Sequence, residues 1–196
     1  RVAALGADGK QLSETPQISA AISDFSDEQL QQMVQRYTFR YFWDFADPLT
    51  GLAYERSNDK RADCITTGGS GFGVMGIVAG VRNGFVTRPE AVARLTKIVG
   101  ALEKLPRFHG AWAHWYNTRT GQPYHFSEKD NGGDLVETAF LVQGLLAAQG
   151  YFDGNDAAEK ALRDRIEQLW REVEWSHYTQ GQNALYWHWS PDYGFA

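Results

Sequence analysis

The distribution of hydrophobic residues predicts helices separated by polar segments of very different lengths. After Ser26 and Gln29, which form a capping-box pair, apolar side chains recur at helical spacing. They lie at Leu30, Met33, Tyr37 and Tyr41. We expect this first helix to end before Pro48, because proline cannot continue a helical hydrogen-bond ladder.

Two different kinds of helix follow. Residues 70–83 are apolar on nearly every face, which predicts a helix buried on all sides. Thr87 and Glu90 then form a second capping box, and the helix that they begin is apolar on one face only. That face consists of Val92, Leu95, Val99 and Leu102. Such an amphipathic helix packs one side against a core and exposes the other.

This pair of helix types recurs later in the chain. Residues 134–149 form a second apolar helix, which we expect Gly150 to close. The helix after it is amphipathic, with one face made of Leu162, Ile166, Leu169 and Val173. The pairs Gly68-Gly69 and Gly132-Gly133 stand 64 residues apart, although the identity between the two copies is thin enough for chance to be the alternative.

Inner apolar helices that alternate with outer amphipathic ones, joined by long loops on one face, predict an all-α protein with an α/α toroid fold. The long loops could hold short hairpins. A toroid of six helix pairs with this period needs roughly 380 residues, so the 196 residues predict about the N-terminal half. Residues 1–23 lack an apolar period and predict an irregular lead-in, which leaves 24–196 as the N-terminal part of the barrel.

Composition narrows the classes of ligand. The net charge of −5 argues against nucleic acid and anionic lipid as partners and favours a neutral or cationic ligand. The apolar run at 71–81 is shorter than the roughly 18 residues that span a bilayer. Cys64 is the single cysteine, which excludes an internal disulfide and argues against a cysteine-based zinc site. Because the chain begins at Arg1 rather than Met, we expect an upstream segment to have been removed.

Aromatic residues make up 14% of the chain, and many fall in the long loops at 108–126 and 186–195. Loops rarely carry so many aromatic side chains unless they form a surface that stacks a ligand, and sugar rings are the usual ligand of that kind. The alternative is that these side chains only pack the loops onto the helices.

The candidate chemistry lies in the segment around Asp130, Asp134 and Glu137. Asp134 and Glu137 share one face of a helix start, and paired carboxylates at a cleft are what glycoside hydrolysis requires. The alternative is a capping box, in which both side chains turn back to their own backbone, whereas catalysis needs one of them to point across the cleft. The 5 histidines lack close ligand spacing, so we predict no metal site.

Four motifs in the same order resemble the bacterial glycoamylase-like family, whose characterised members include endo-β-1,2-glucanases. They are YTFRYFWD at 37–44, TTGGSGFGVMG at 66–76, GDLVETAF at 133–140 and WHWSPDYGF at 187–195. The resemblance implies an (α/α)6 barrel, glycoside hydrolysis with inversion, no metal or organic cofactor, and export to the periplasm or outside. It places the family's acidic positions on Asp130, Asp134 and Glu137.

The resemblance also implies a further glutamate in a Gly-Trp-Asn-Glu-like segment after the last motif. The sequence stops at Ala196, before that segment. Carboxylates adjacent on one helix do not provide the roughly 6.5–9.5 Å between acid and base that inversion requires. We therefore expect the chain by itself to be an incomplete and inactive part of the enzyme, whose partner is the remaining half of the same barrel.

These observations together predict an exported, cofactor-independent glycoside hydrolase that acts on a β-glucan, with the β-1,2 linkage as the leading choice. Asp134 and Glu137 are the predicted catalytic residues, with Asp130 in support. The predicted sugar-binding residues are Trp115, Trp187, Trp189, Tyr193 and Arg56. Two alternatives stay open: a non-catalytic carbohydrate-binding α/α domain, and a polysaccharide lyase, which the acidic net charge disfavours.

Overall fold

The computed structural model describes residues 3–5, 7–8, 11–14, 24–58 and 63–195. These fall into two compact units, 1–33 and 34–196. In the first unit, strands β1 (Ala3–Leu5) and β2 (Gln11–Glu14) pair in antiparallel fashion. The prediction of an irregular lead-in over 1–23 is therefore corrected for these residues. Strands of three and four residues are too short to show a readable alternation of apolar and polar positions.

Helix α1 (Asp27–Trp43) begins at the predicted capping box and ends before Pro48, as expected. Its predicted apolar stripe is not its packed face, because Tyr37 is exposed and Phe39 is the buried residue. Phe39 packs against Gly80 and Phe42 against Gly73. The glycines of the next helix therefore provide space for the aromatic rings of α1.

The remaining helices form two similar pairs. Helices α2 (Thr67–Arg82) and α3 (Arg88–Leu102) are the first pair, and α4 (Leu135–Tyr151) and α5 (Ala157–Arg171) are the second. The capping box of Thr87 and Glu90 is confirmed at the start of α3. The prediction that Gly150 closes α4 is wrong: Phe152 is the C-cap and Gly150 is not among the residues with positive φ. A glycine closes a helix only where the chain turns into the left-handed region.

The long loops contain short antiparallel strands, the hairpins that the sequence left open. Strand β3 (Cys64–Thr66) pairs with β6 (Trp115–Asn117), which pairs with β7 (Pro123–Tyr124). Strands β4 (Arg107–Phe108) and β5 (Ala111–Trp112) form a hairpin, and β8 (Gly133–Asp134) pairs with β9 (His188–Trp189). A 3-10 turn spans His177–Thr179. The fold is mainly helical, and the short strands connect the long loops to one another by hydrogen bonds near the N-terminal ends of the helices.

The inner helices α2 and α4 pack directly on each other, and α3 and α5 cover them from one side. The shared core is filled by large buried side chains such as Trp112, Ile77, Leu95, Leu145 and Ile166. In this chain, which spans only part of its predicted barrel, the two apolar helices are not buried on every side. On α2 and α4, Phe72, Val136, Phe140 and Leu146 are exposed. Among the described residues, no helix is long and apolar enough to cross a membrane.

Candidate active site

A cleft of about 420 Å³ lies at the N-terminal ends of α2 and α4. The backbone at its floor is fixed, because Thr67 N–H donates to His114 O and the Thr67 hydroxyl donates to Ala113 O. The cleft is lined by Tyr41, Phe42, Ala53, Tyr54, Glu55, Thr66, Gly68, Gly69, Phe72, His114, Glu137 and Phe140. It therefore combines apolar walls with two carboxylates and one imidazole.

Asp134 is the N-cap of α4 and is 0% exposed. Its Oδ1 accepts the Glu137 N–H at 2.9 Å, which is the capping role that the sequence left open. Its Oδ2 accepts the indole N–H of Trp187 at 2.9 Å and lies 3.0 Å from Nδ1 of His114. With three donors around a fully buried carboxylate, Asp134 orients its neighbours rather than facing the cleft.

Glu137 does not complete a capping box on its own helix. Its Oε2 accepts the N–H of Gly68 at 2.8 Å, so the side chain reaches from α4 to the start of α2. The N-cap Thr66 gives α2 no side-chain cap, and Glu137 satisfies one of the free N–H groups there. A Cβ on Gly68 would lie 2.4 Å from Oε2, so glycine is needed for this approach. Of the two predicted carboxylates, Glu137 therefore turns away from its own helix and lies in the cleft.

The environment of Glu137 favours its protonated form. Burial raises the pKa of this carboxyl, and the charges of Asp134 and Glu55 act in the same direction. The charge of His114 and the hydrogen bond from Gly68 oppose the shift but do not cancel it. A carboxylic acid with a raised pKa is the form that can donate a proton to a leaving oxygen.

His114 lies between the two acidic residues. Because an ionised carboxylate only accepts hydrogen bonds, Nδ1 of His114 carries the hydrogen toward Asp134, and Nε2 lies 3.9 Å from Oε1 of Glu137. Burial lowers the pKa of the imidazole, but the hydrogen bond to Asp134 and the charge of Glu137 outweigh it and leave the pKa raised. The ring stacks on Phe126 at 4.4 Å. Sequence spacing could not single out this histidine, because its partners come from other segments.

Asp130 lies behind these groups and is 7% exposed. Its Oδ1 has no hydrogen-bond partner among the residues that the structure describes. Burial and the charge of Asp134 both raise the pKa of the Asp130 carboxyl. An unpaired buried oxygen next to the cluster suits a group that holds a water molecule or a substrate hydroxyl.

Two groups of side chains in the described part of the chain have the donor types of a metal site. His114, Asp130 and Asp134 form one, but the oxygens of Asp134 are already engaged by three donors. His109 and His177 form the other with a glutamate, and their rings stack at 3.5 Å with planes 12° apart. Parallel rings direct their in-plane lone pairs side by side rather than toward one ion.

Residues 34–166, well over half of the chain, match the family described as "Protein of unknown function (DUF3131)". The chain belongs to the DUF3131 family. An exo beta-1,2-glucooligosaccharide sophorohydrolase (non-reducing end) from Parabacteroides distasonis is 50% identical over 183 residues, which are 92% of this chain and 25% of that protein. The DUF3131 chain therefore spans about a quarter of the length of this curated relative.

Two solved structures are similar to the DUF3131 chain over most of its length. An endo-beta-1,2-glucanase from Chitinophaga pinensis, in complex with sophorotriose and glucose, is 47% identical with a TM-score of 0.83, covering 88% of this chain and 43% of that one. A candidate glucoamylase from Bacteroides uniformis is 50% identical with a TM-score of 0.86, covering 89% and 42%. These relatives confirm the resemblance to the glycoamylase-like family.

In this DUF3131 member, the predicted sugar-binding aromatics have different environments. Trp187 and Tyr193 are 55% and 45% exposed, and Trp187 lies over the acidic cluster through its bond to Asp134. Trp189 is half-buried against the rings of two histidines, and Trp115 is only 9% exposed. The aromatic rings that line the cleft are instead those of Tyr41, Phe42, Tyr54, Phe72 and Phe140.

The sequence interpretation also missed Glu55. Its Oε2 accepts the indole N–H of Trp115 at 2.9 Å, and its Oε1 lies 3.2 Å from the guanidinium of Arg56, a predicted binding residue that is more than half exposed. The available signal was its position in the sequence, directly before Arg56. No spacing rule marked Glu55, because its cleft neighbours come from elements tens of residues away.

Proposed function

We propose that the chain is the N-terminal part, residues 24–196, of an (α/α)6-barrel glycoside hydrolase that cleaves a β-1,2-glucan with inversion. The observation that carries this proposal is the direction of Glu137, which reaches across the cleft to Gly68 instead of capping its own helix. The relatives named for β-1,2-glucan and β-1,2-glucooligosaccharide hydrolysis support the linkage.

In the proposed mechanism, Glu137 is the general acid. Its Oε2 is held by the Gly68 N–H, so Oε1 is the oxygen available to give a proton to the leaving glycosidic oxygen. The raised pKa keeps that proton on the carboxyl at higher pH than an ordinary glutamate would. Asp134 holds His114 and the start of α4 in place, and Asp130 supplies a buried oxygen that has no partner among the described residues.

The base that activates water is a second carboxylate on the far side of the sugar, roughly 6.5–9.5 Å from the acid. Asp134 is fully buried on the same helix as Glu137, so we assign the base to the remainder of the barrel. The remainder of the barrel would also cover exposed apolar side chains of α4 that lie outside the cleft. Val136 and Leu146 are two such side chains.

The test uses the complete protein, incubated separately with β-1,2-, β-1,3- and β-1,4-linked glucooligosaccharides. We expect cleavage of the β-1,2 series, an inverted anomer as the first product by NMR, and a loss of at least a thousandfold in kcat for Glu137→Gln. Loss of activity with rising pH should track the deprotonation of Glu137. Glu128→Gln, at an exposed glutamate of the loop before α4, is the matched control and should retain full activity.

Unchanged hydrolysis by the Glu137→Gln variant would show that Glu137 is not the acid. Binding of the oligosaccharides without cleavage of any of them by the unmutated protein would favour the carbohydrate-binding alternative. A retained anomer would overturn the inverting mechanism but leave the hydrolase assignment standing.

A further inference from the structure

The loop carrying Glu55 is rigidly attached to the helix starts that form the cleft. Ala53 N–H donates to the hydroxyl of Ser70 on α2, and Thr66 N–H donates to the carbonyl of Ala53. Glu55 N–H donates to the carbonyl of Cys64 on β3. These hydrogen bonds therefore hold the backbone of Glu55 in a defined position in the wall of the cleft.

Its side chain is fixed from a different direction. Trp115 lies on β6, opposite Thr66 of β3, and its indole N–H donates to Oε2 of Glu55 at 2.9 Å. The indole itself is 9% exposed and packs against His114 at 4.7 Å and Phe126 at 5.2 Å. A buried, well-packed donor gives the carboxylate one orientation, which an exposed ion pair with Arg56 alone would not do.

The charge of Glu55 affects the pKa values of two other residues that line the cleft. The pKa of Glu137 is raised mainly by burial, and the Glu55 charge adds to the effect. The pKa of Tyr41, another residue of the wall, is also raised by burial first and then by Glu55. Glu55 is thus an electrostatic neighbour of the proposed acid, although it lies on a separate loop.

Resting on the proposed function, we propose that Glu55 is a substrate-contacting carboxylate that accepts hydrogen bonds from sugar hydroxyls beside Glu137, with Trp115 as its positioning residue. Each oxygen of an ionised carboxylate can accept about two hydrogen bonds. Trp115 and Arg56 each engage one oxygen, which leaves acceptor capacity on both. A neutral sugar offers neighbouring hydroxyl donors of the type that such a carboxylate binds, and the side chain lies in the wall of the cleft.

This role makes Glu55 a determinant of affinity and of the protonation of Glu137. In the complete protein, Glu55→Gln should raise KM for a β-1,2-glucooligosaccharide about ten- to hundredfold, since a charge-assisted hydrogen bond is lost. It should also move the alkaline limb of the pH profile to lower pH, because removing the negative charge lowers the pKa of Glu137.

Trp115→Phe tests the orientation of the Glu55 carboxylate separately from its charge. It removes the indole donor and retains an aromatic ring, so KM should rise several-fold while the pH limb stays in place, since the charge of Glu55 is kept. The exposed control Glu128→Gln should change neither quantity. Thermal unfolding of each variant checks that it is folded.

An unchanged KM and pH limb in Glu55→Gln, with the unmutated protein hydrolysing its substrate, would overturn this inference and leave the proposed function intact. If the unmutated protein hydrolyses nothing, the proposed function has failed, and calorimetric binding of the same oligosaccharide decides the role of Glu55 alone. In that binding experiment, the double variant Glu55→Gln/Glu137→Gln is compared with Glu137→Gln alone. An equal Kd for the two proteins would overturn the proposed role of Glu55.

Discussion

The crossing of α2 and α4 allows a quantitative prediction about a single methyl group. A Cβ added at Gly144 would lie 2.2 Å from the carbonyl oxygen of Gly71 and 2.8 and 3.0 Å from its C and Cα, whereas ordinary contacts begin at 3.4 Å. All three atoms belong to backbone, so no rotamer change can relieve the clash. Gly144→Ala must separate the two helices by roughly 1 Å.

The cost can be worked from this geometry. Overpacking in a core costs about 1–3 kcal/mol, and a clash with backbone belongs at the upper end. Alanine recovers roughly 1 kcal/mol through its better helix propensity, which leaves a net loss of about 2 kcal/mol. Gly150 is in the same helix, but a Cβ there meets no atom of the described part of the chain within 4 Å. Gly150→Ala should therefore stabilise the protein by about 0.5–1 kcal/mol.

The assay is urea unfolding of both variants and of the unmutated complete protein, followed by circular dichroism. We expect the free energies of unfolding of Gly144→Ala and Gly150→Ala to differ by about 3 kcal/mol, the sum of the two effects. Activity should fall only in Gly144→Ala, because spreading the helices withdraws the Gly68 N–H from Glu137. Equal stability of the two variants would contradict this prediction, since it would show that the helix crossing accommodates a methyl group freely.

Substitutions at four other positions test the site and one helix cap. Gly68→Ala should lower kcat at least tenfold with little change in urea stability, because its Cβ displaces only the flexible end of Glu137. Asp134→Asn should cost about 2–3 kcal/mol in unfolding free energy, since it disturbs three hydrogen bonds of a buried carboxylate. Asp130→Asn should not destabilise the protein at neutral pH. Because the pKa of Asp130 is raised in the folded protein, ionisation of this residue lowers the free energy of unfolding as pH rises from about 4 through the raised pKa. Any stability that Asp130→Asn gains at neutral pH should therefore disappear in acid, where Asp130 is protonated in both states. Thr87→Ala should cost about 1 kcal/mol and Thr87→Ser much less, by the same unfolding assay.

The helices were predictable because their signals are local. A capping box and a one-sided apolar pattern are enough to mark α3, since both depend on residues three or four apart. The short strands and the end of α4 were not predictable in this way. Pairs such as Gly133 with Trp189 join segments that sequence spacing does not relate, and Gly150 adopts helical geometry where its type favours a cap.

The same division applies to the candidate site. That Asp130, Asp134 and Glu137 lie together at the start of a helix was predictable, because they are neighbours in the chain. Their different surroundings follow from contacts between segments that are distant in the chain. Glu137 accepts the N–H of Gly68 at the start of α2, whereas Asp134 is buried and is contacted by His114 and Trp187 from two separate segments.

His114 and Glu55 depended entirely on tertiary structure. Each became part of the cleft because β3 and β6 pair and bring two distant loops to the N-terminal ends of α2 and α4. Residue types and their periodicity determine helices and apolar faces, since those forces act between near neighbours. Which charged groups meet, and how far burial shifts their pKa values, depends on packing between segments far apart in the chain.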